Sequence, residues 1–366
     1  MEKKYSLTVS ISFLLTLLIM LAINTLKTPD EFSVTERRKL TQFPEISAKT
    51  LFGGEFAEGF DNYAVDQIAM RETFRSIKAI FTMNIFRKSD NNGIFISDNM
   101  VFKTDYPVNE KSVLRLCAII NNINEELLGG TNSVCYTVVP DKNYYLESSK
   151  YLAYDYNEFL TLVKSSISED IKYIDIFNSL SLQDYFRTDS HWRQESLIDV
   201  AAVLTEGMSA EFTPKPYTGK SFNGFYGVFY GQSALNISPD ELIWLVNETT
   251  ENATVTSVEA PGKVFKVYDE TQLESVDPYN IFMCGSAAIV KAVNPLCDTN
   301  RELIIFRDSY GSSLSPLLLE SYKTITLIDL RYVSSEKLTQ FVEFEGSDVL
   351  FIYSTTLFNT SDSIRG

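Results

Sequence analysis

The chain has 366 residues, 45% of them hydrophobic and 13% aromatic, which is ample for a large buried core and excludes a globally disordered chain. With 48 acidic against 32 basic residues the net charge is −16, which argues against nucleic-acid binding, because phosphate neutralisation needs clusters of Lys and Arg. A single histidine, four cysteines and no Cys-x-x-Cys pair leave too few nitrogen and sulfur ligands for a zinc site, and no metal or other cofactor is expected.

Residues 1–5 carry Lys3 and Lys4 and read as a short cytoplasmic tail. From Tyr5 to Leu26 there are 22 consecutive uncharged residues. At about 1.5 Å per residue such a helix crosses a hydrocarbon core of roughly 30 Å, giving a transmembrane anchor over 6–26. The basic start orients it with the N-terminus in the cytoplasm and the rest of the chain outside. A cleaved signal peptide is the competing reading. The run is long for that, and no A-x-A site follows it. Residues 27–50, charged and holding Pro29 and Pro44, read as a stalk, and 51–366 as one extracytoplasmic α/β domain.

Within that domain Phe74, Ile77, Ile80, Phe81 and Ile85 recur at helical spacing. Ile94 to Phe102 reads as a hairpin turning at Ser97-Asp98-Asn99. Val113, Leu116, Ile120, Ile123 and Leu127 mark a second amphipathic helix, stopped by Gly129-Gly130. Val134 to Val139 is a buried strand ending in Pro140-Asp141-Lys142, then a helix holds Phe159, Leu160, Val163 and Ile167, then a strand runs from Tyr173 to Phe177. Strand alternating with helix predicts a doubly wound, mainly parallel sheet flanked by helices. Cys117 and Cys135 fall in these apolar patterns and read as free, buried thiols, although disulfides are allowed outside the cytoplasm.

After His191 the spacing of Leu197, Val200, Ala201 and Leu204 gives another helix. The alternation breaks over about 211–277, a β-rich insertion in which Phe222 to Gly231 is full of aromatics and glycine. Those aromatics read as the insertion's own small core or as an exposed stacking surface. Tyr279 to Cys284 reads as a strand ending at Gly285-Ser286. Leu303 to Phe306, a polar turn, and then Leu314, Leu317 and Leu318 read as strand, sharp turn, helix. Ile325 to Leu330, closed by Arg331, and Val349 to Tyr353 are two more core strands.

Two stretches carry the chemistry. In Thr188-Asp189-Ser190-His191-Trp192, His191 is the sole histidine, and imidazole is the default acid–base group near neutral pH. An Asp two residues earlier on extended chain lies on the same side, where it can fix the ring tautomer. Trp192 is expected to hold the ring from below. The second stretch is Arg307-Asp308-Ser309-Tyr310-Gly311. A Ser at a strand–turn–helix tip is where α/β hydrolases expose a nucleophile, and its own N–H can help to stabilise an oxyanion. Helix capping by Asp308 and Ser309 is the competing reading. Together the stretches predict a Ser309–His191–Asp189 triad. Arg331, closing a strand, is a candidate for a substrate contact or a salt bridge on the rim.

These motifs, with Asp329-Leu330-Arg331-Tyr332 and the earlier Phe32 to Leu40, Gly53-Gly54-Glu55-Phe56 and Asp66-Gln67 before Arg71, resemble the DHHW protein family. That family is similar to the SGNH-hydrolase-like alginate O-acetyltransferases. Position 190 is Ser where the family name implies His. The order Asp, His, Ser inverts the usual SGNH order and agrees with the alginate acetyltransferase-like branch. In SGNH-like sites amides from strand-end loops complete the oxyanion hole, so the resemblance makes Gly285 a further candidate for an oxyanion contact. By the same resemblance, aromatics of Phe222 to Gly231 exposed beside a polysaccharide enzyme's cleft would suit stacking on sugar faces. The resemblance implies an SGNH-like fold and an O-acyltransferase acting on a cell-surface or secreted polysaccharide, with a multi-pass membrane-bound O-acyltransferase partner relaying the acyl group outward. A carbohydrate esterase with the same triad, and a non-catalytic surface assembly protein, are the alternatives.

Overall fold

The computed structural model describes residues 2–146 and 151–366; Met1 of the expected tail lies outside them. Glu2–Leu26 is one helix, and its stretch Tyr5–Leu26 is long and apolar enough to cross a membrane. By its contacts the chain forms two compact units.

The first unit runs up to Asn92 and also takes in Tyr230–Ile237. The boundary therefore falls at 92/93, where a stalk ending at 50 was expected. Ion pairs explain the shift. The Asp66 carboxylate is gripped by both guanidinium arms of Arg38, at 2.9 and 2.5 Å, and accepts from the Thr41 amide. Glu36 meets Arg71 at 2.5 Å and Arg75 at 3.1 Å. Residues 27–50 are thus tied to the helices Glu55–Gln67 and Arg71–Ile80. Arg75 also donates to the Gly231 carbonyl, which draws part of the expected insertion into this unit.

The second unit holds an eight-stranded sheet. Its strands are β1 (Ser133–Val139), β2 (Lys172–Tyr173), β3 (Thr254–Ser257), β4 (Phe265–Lys266), β5 (Ile289–Val293), β6 (Glu302–Arg307), β7 (Thr324–Ile328) and β8 (Asp348–Ser354). The spatial order is β4-β3-β5-β7-β6-β8-β1-β2. From β7 to β2 every pairing is parallel, whereas β4-β3, β3-β5 and β5-β7 are antiparallel. The sheet is mixed: part of the expected insertion adds β3 and β4 to its edge, and β5, which follows the insertion, runs antiparallel to β7. Two further segments of the insertion, Thr218–Phe225 and Asp240–Val246, form a separate antiparallel pair.

The central strands are buried on both faces, as parallel strands covered by helices must be. Their alternation splits the core in two. Leu303 and Ile305 pack with α3 (Ile198–Gly207) and α4 (Ser309–Leu318), while Ile304 and Phe306 pack with α1 (Glu110–Leu127) and α2 (Tyr156–Ser166).

Two expected strands are corrected. The one at 173–177 stops at Tyr173, and Phe177 begins a short 3₁₀ turn. Pro278–Ile281 is likewise a 3₁₀ turn, started by Pro278 and capped by Asp277, which accepts from the Tyr279 amide. This turn carries Tyr279 into the site.

Candidate active site

The carboxyl ends of β6, β8 and β1 come together. In an open α/β sheet that edge is where ligands bind. Asp308 follows β6 and caps α4: its Oδ1 accepts from the Tyr310 amide at 3.0 Å and its Oδ2 from the amide of Ser354, the last residue of β8, at 2.8 Å. The capping role therefore falls to Asp308 alone. Ser309, half-buried at the first helical position, keeps its hydroxyl for another partner.

That partner is His191. Its Nε2 lies 2.7 Å from Ser309 Oγ, and its Nδ1 lies 2.5 Å from Asp189 Oδ1. An ionised carboxylate only accepts, so Nδ1 carries the proton and Nε2 is left to accept from the hydroxyl. The residues expected to form the triad are brought together, across 118 positions of sequence.

The way they meet differs from the expected extended strand. Residues 187–191 bend inside a loop closed by one antiparallel bridge, Tyr185 with Trp192, and by a bond from the Phe186 amide to the His191 carbonyl. Asp189 Oδ1 also accepts from the His191 amide at 3.0 Å, a turn that returns the ring over its own carboxylate. Asp189 Oδ2 accepts from the Val228 amide at 2.8 Å, and Asp189 is 1% exposed. The chain beside it is Gly227, where a Cβ would come well inside 3.0 Å of Asp189. Ser190, the departure from the family name, donates to Asp189 at 3.4 Å, and its carbonyl accepts from the Tyr310 hydroxyl.

Trp192 is fully buried and edge-on to Tyr310, which in turn lies against the His191 ring, and its indole N–H donates to Ser313 Oγ at 2.9 Å. The Tyr279 hydroxyl donates to the same oxygen at 2.7 Å. Tyr279 lies flat against His191, and burial raises its phenol well above the ordinary value, so it stays neutral. Sequence reading missed this residue by assigning it to a strand.

The two other candidates are placed elsewhere in the hydrogen-bond network. The Gly285 amide donates to the Phe282 carbonyl at 2.8 Å and its carbonyl accepts from Arg307, so that amide is already engaged. By contrast, the Ser309 amide has no acceptor among the described residues and sits at a helix N-terminus. Arg331 is engaged in a salt bridge to a fully buried carboxylate: its Nε and one terminal nitrogen hold the two oxygens of Asp329 at 2.9 and 2.6 Å. Asp329 in turn faces the buried Arg307 at 3.2 Å. The aromatics of Phe222 to Gly231 divide: Phe225 is buried against Phe186 and Phe229 is also buried, Phe222 and Tyr230 are half-buried, and Tyr226 is exposed. Cys117 and Cys135 are free and buried, which raises their thiols to about 12 and about 11.

No protein-family model matches the sequence, and none of the curated proteins compared with it matches. Solved structures do. A DHHW family protein from Eubacterium siraeum superposes with a TM-score of 0.62 at 21% identity, over 75% of this chain and 94% of the other. The fold is that of a DHHW family protein. PatB1 of Bacillus cereus has it too, with a TM-score of 0.57 at 17% identity over 74% of this chain and 98% of PatB1. A second PatB1 structure, carrying a sulfonyl adduct, gives 0.56 at 17% identity over 73% and 96%. The resemblance read from short motifs thus extends to the architecture around them.

Proposed function

We propose that this chain is an extracytoplasmic O-acyltransferase, most simply an O-acetyltransferase, that modifies a cell-surface or secreted polysaccharide through Ser309, His191 and Asp189. The observation that carries the reading is the unbroken relay from Asp189 through the imidazole to the Ser309 hydroxyl. Tyr5–Leu26 would anchor the chain in the membrane with its N-terminus in the cytoplasm. The polysaccharide part rests on the motif resemblance to alginate O-acetyltransferases.

In the first half-reaction Ser309 Oγ attacks the acyl carbonyl while its proton passes to His191 Nε2. Asp189 accepts from Nδ1–H and stabilises the imidazolium. The Ser309 amide, aimed from the start of α4, donates to the developing oxyanion. The tetrahedral adduct collapses to an acyl ester on Ser309, and the leaving group takes the proton from His191. In the second half-reaction His191 deprotonates a sugar hydroxyl, which attacks the ester and regenerates the Ser309 hydroxyl. No cofactor enters either step. An acyl donor made in the cytoplasm would need a relay, the role of a multi-pass membrane-bound O-acyltransferase partner.

The same triad with water as acceptor would make a carbohydrate esterase. A transferase must favour its acceptor by positioning, a source of effective concentrations on the order of 10⁵ M or more. The full chain in detergent, given an activated acyl ester with and without polysaccharide, separates the two. A sugar ester formed only with polysaccharide and only with Ser309 present supports the transferase. Acyl release that polysaccharide leaves unchanged, with no sugar ester, supports the esterase. A sulfonyl reagent, of the class seen bound to PatB1, is expected to modify Ser309. Failure to modify it sinks both readings.

A further inference from the structure

Lys142 is 2% exposed and, among the described residues, forms no ion pair. It opens the turn Lys142–Tyr145, which Pro140 and Asp141 join to the end of β1. Its neighbour Asp141 is occupied by other groups: Thr355 and Tyr156 hydroxyls donate to one oxygen, and the Asn143 amide to the other. A cation buried without a carboxylate is costly, so its three N–H groups must be fully used. They are. Nζ donates to the carbonyls of Asp189 at 2.7 Å, Phe186 at 3.0 Å and Arg187 at 3.3 Å. The Phe102 and Phe229 ring faces, 5.3 and 5.1 Å away, enclose the cation further.

The same loop is held by its amides as well. Asp240 accepts from the Arg187 and Thr188 amides at 2.9 and 2.8 Å and from the Thr188 hydroxyl. The carbonyls of Phe186, Arg187 and Asp189 converge on an ammonium, and the amides of Arg187 and Thr188 on a carboxylate. The backbone that carries Asp189 is therefore fixed by two opposite charges, neither of which touches His191 or Ser309 in the hydrogen bonds formed. Burial lowers the Lys142 ammonium to about 7, with Asp189, Asp240 and Asp141 opposing that fall.

We propose that Lys142 is a positioning residue for the reaction: by binding the Phe186, Arg187 and Asp189 carbonyls it sets the place of the Asp189 carboxylate, and through it the tautomer of His191. This rests on the triad reading above. Lys142→Met keeps the apolar stem and removes every donor, which leaves the loop carbonyls unbound and lets Asp189 shift. A displacement of about 1 Å at a catalytic group costs on the order of 10² in rate.

The test uses the full chain in detergent with ¹⁵N-labelled histidine; with one histidine, every ring signal belongs to His191. Unaltered protein is expected to show the Nδ1–H tautomer with a low-field proton. Lys142→Met is expected to mix the tautomers, weaken that proton signal and slow sulfonyl modification of Ser309 about 10²-fold, with cooperative unfolding retained. Ring signals and a modification rate within twofold of the unaltered protein overturn the proposal. If Lys142→Met does not fold, Lys142→Gln, which keeps two donors, carries the same readouts. Failure of both to fold makes Lys142 purely structural and also overturns it. An unreactive Ser309 in the unaltered chain would count against the triad reading alone, because the ring signals still report whether Lys142 acts on His191.

Discussion

Tyr279 lies on the face of His191, ring centroids 4.0 Å apart and planes 15° apart. The stack limits the imidazole to motion in its own plane, while Asp189 fixes its rotation from the edge. Ser313 then locks the tyrosine, accepting from both Tyr279 and Trp192 and donating to the Tyr310 carbonyl. Tyr279→Phe keeps the stacked ring and is expected to lose less than about tenfold in rate, whereas Tyr279→Leu frees the imidazole and is expected to lose about 10²-fold. Single-turnover acylation of both variants decides this. Equal losses would place the effect in the hydroxyl and not in the stack.

The relay itself predicts a pattern of losses. Ser309→Ala and His191→Ala are each expected to lower the rate by about 10⁴-fold or more, and the double variant to lose little beyond that, because the two act as a unit. Asp189→Asn offers an N–H toward Nδ1 and favours the wrong tautomer, at a cost of about 10⁴. Steady-state rates with an activated ester are the measurement. Additive losses in the double variant would break the unit.

Gly227 is a second place where geometry leaves no freedom. A Cβ there meets Asp189 Cα, Cβ and Oδ2 all inside 3.0 Å. The neighbouring Gly227 and Val228 amides donate to Thr188 and Asp189 at 2.9 and 2.8 Å. Gly227→Ala is expected to cut activity by about 10²-fold or more while costing about 1–3 kcal/mol of stability by overpacking. Parallel rates and urea unfolding of this variant and of Gly224→Ala, whose added methyl meets nothing within 4 Å, separate crowding from backbone strain.

Asp105 supplies a pH dependence away from the site. Burial raises its carboxyl to about 6, while the Asn359 amide bonded to Oδ1 at 2.6 Å and the Thr356 side chain oppose the rise; among the described residues Oδ2 makes no hydrogen bond within normal distance. The Asp141 charge adds to the rise. A raised carboxyl favours the folded state when protonated, so its contribution is complete below the unfolded value of about 4 and is lost as pH climbs through about 6. Asp105→Asn is expected to match the unaltered protein near pH 4 and to be more stable by about 1–3 kcal/mol at pH 8. Urea midpoints across that range test it, and a pH-independent difference would dismiss the account.

The fold was legible where periodicity was strong. β6, β8, β1, α1 and α4 fall where their apolar runs place them, because a strand buried on both faces needs an unbroken run and a packed helix needs a repeat of three and four. The misread segments are short. Tyr279 to Cys284 has strand composition, but Asp277 and Pro278 turn it into a capped 3₁₀ segment. The fate of 27–50 was set by Arg38, Glu36 and Asp66, whose pairing has no signature in local sequence.

The sequence by itself determined the chemistry on offer: one imidazole, one carboxylate two residues before it, and a serine at the tip of a strand–turn–helix. It also determined a helix long and apolar enough to span a bilayer. Tertiary structure alone decided that the serine faces the imidazole while Asp308 accepts from the Ser354 amide, that Tyr279 stacks on the ring, and that Lys142 and Asp240 clamp the loop between them. The physical reason is range. Helix and strand preferences act over a few residues, whereas each of these contacts joins groups from about 45 to 118 positions apart and exists only after the sheet has brought its strand ends together.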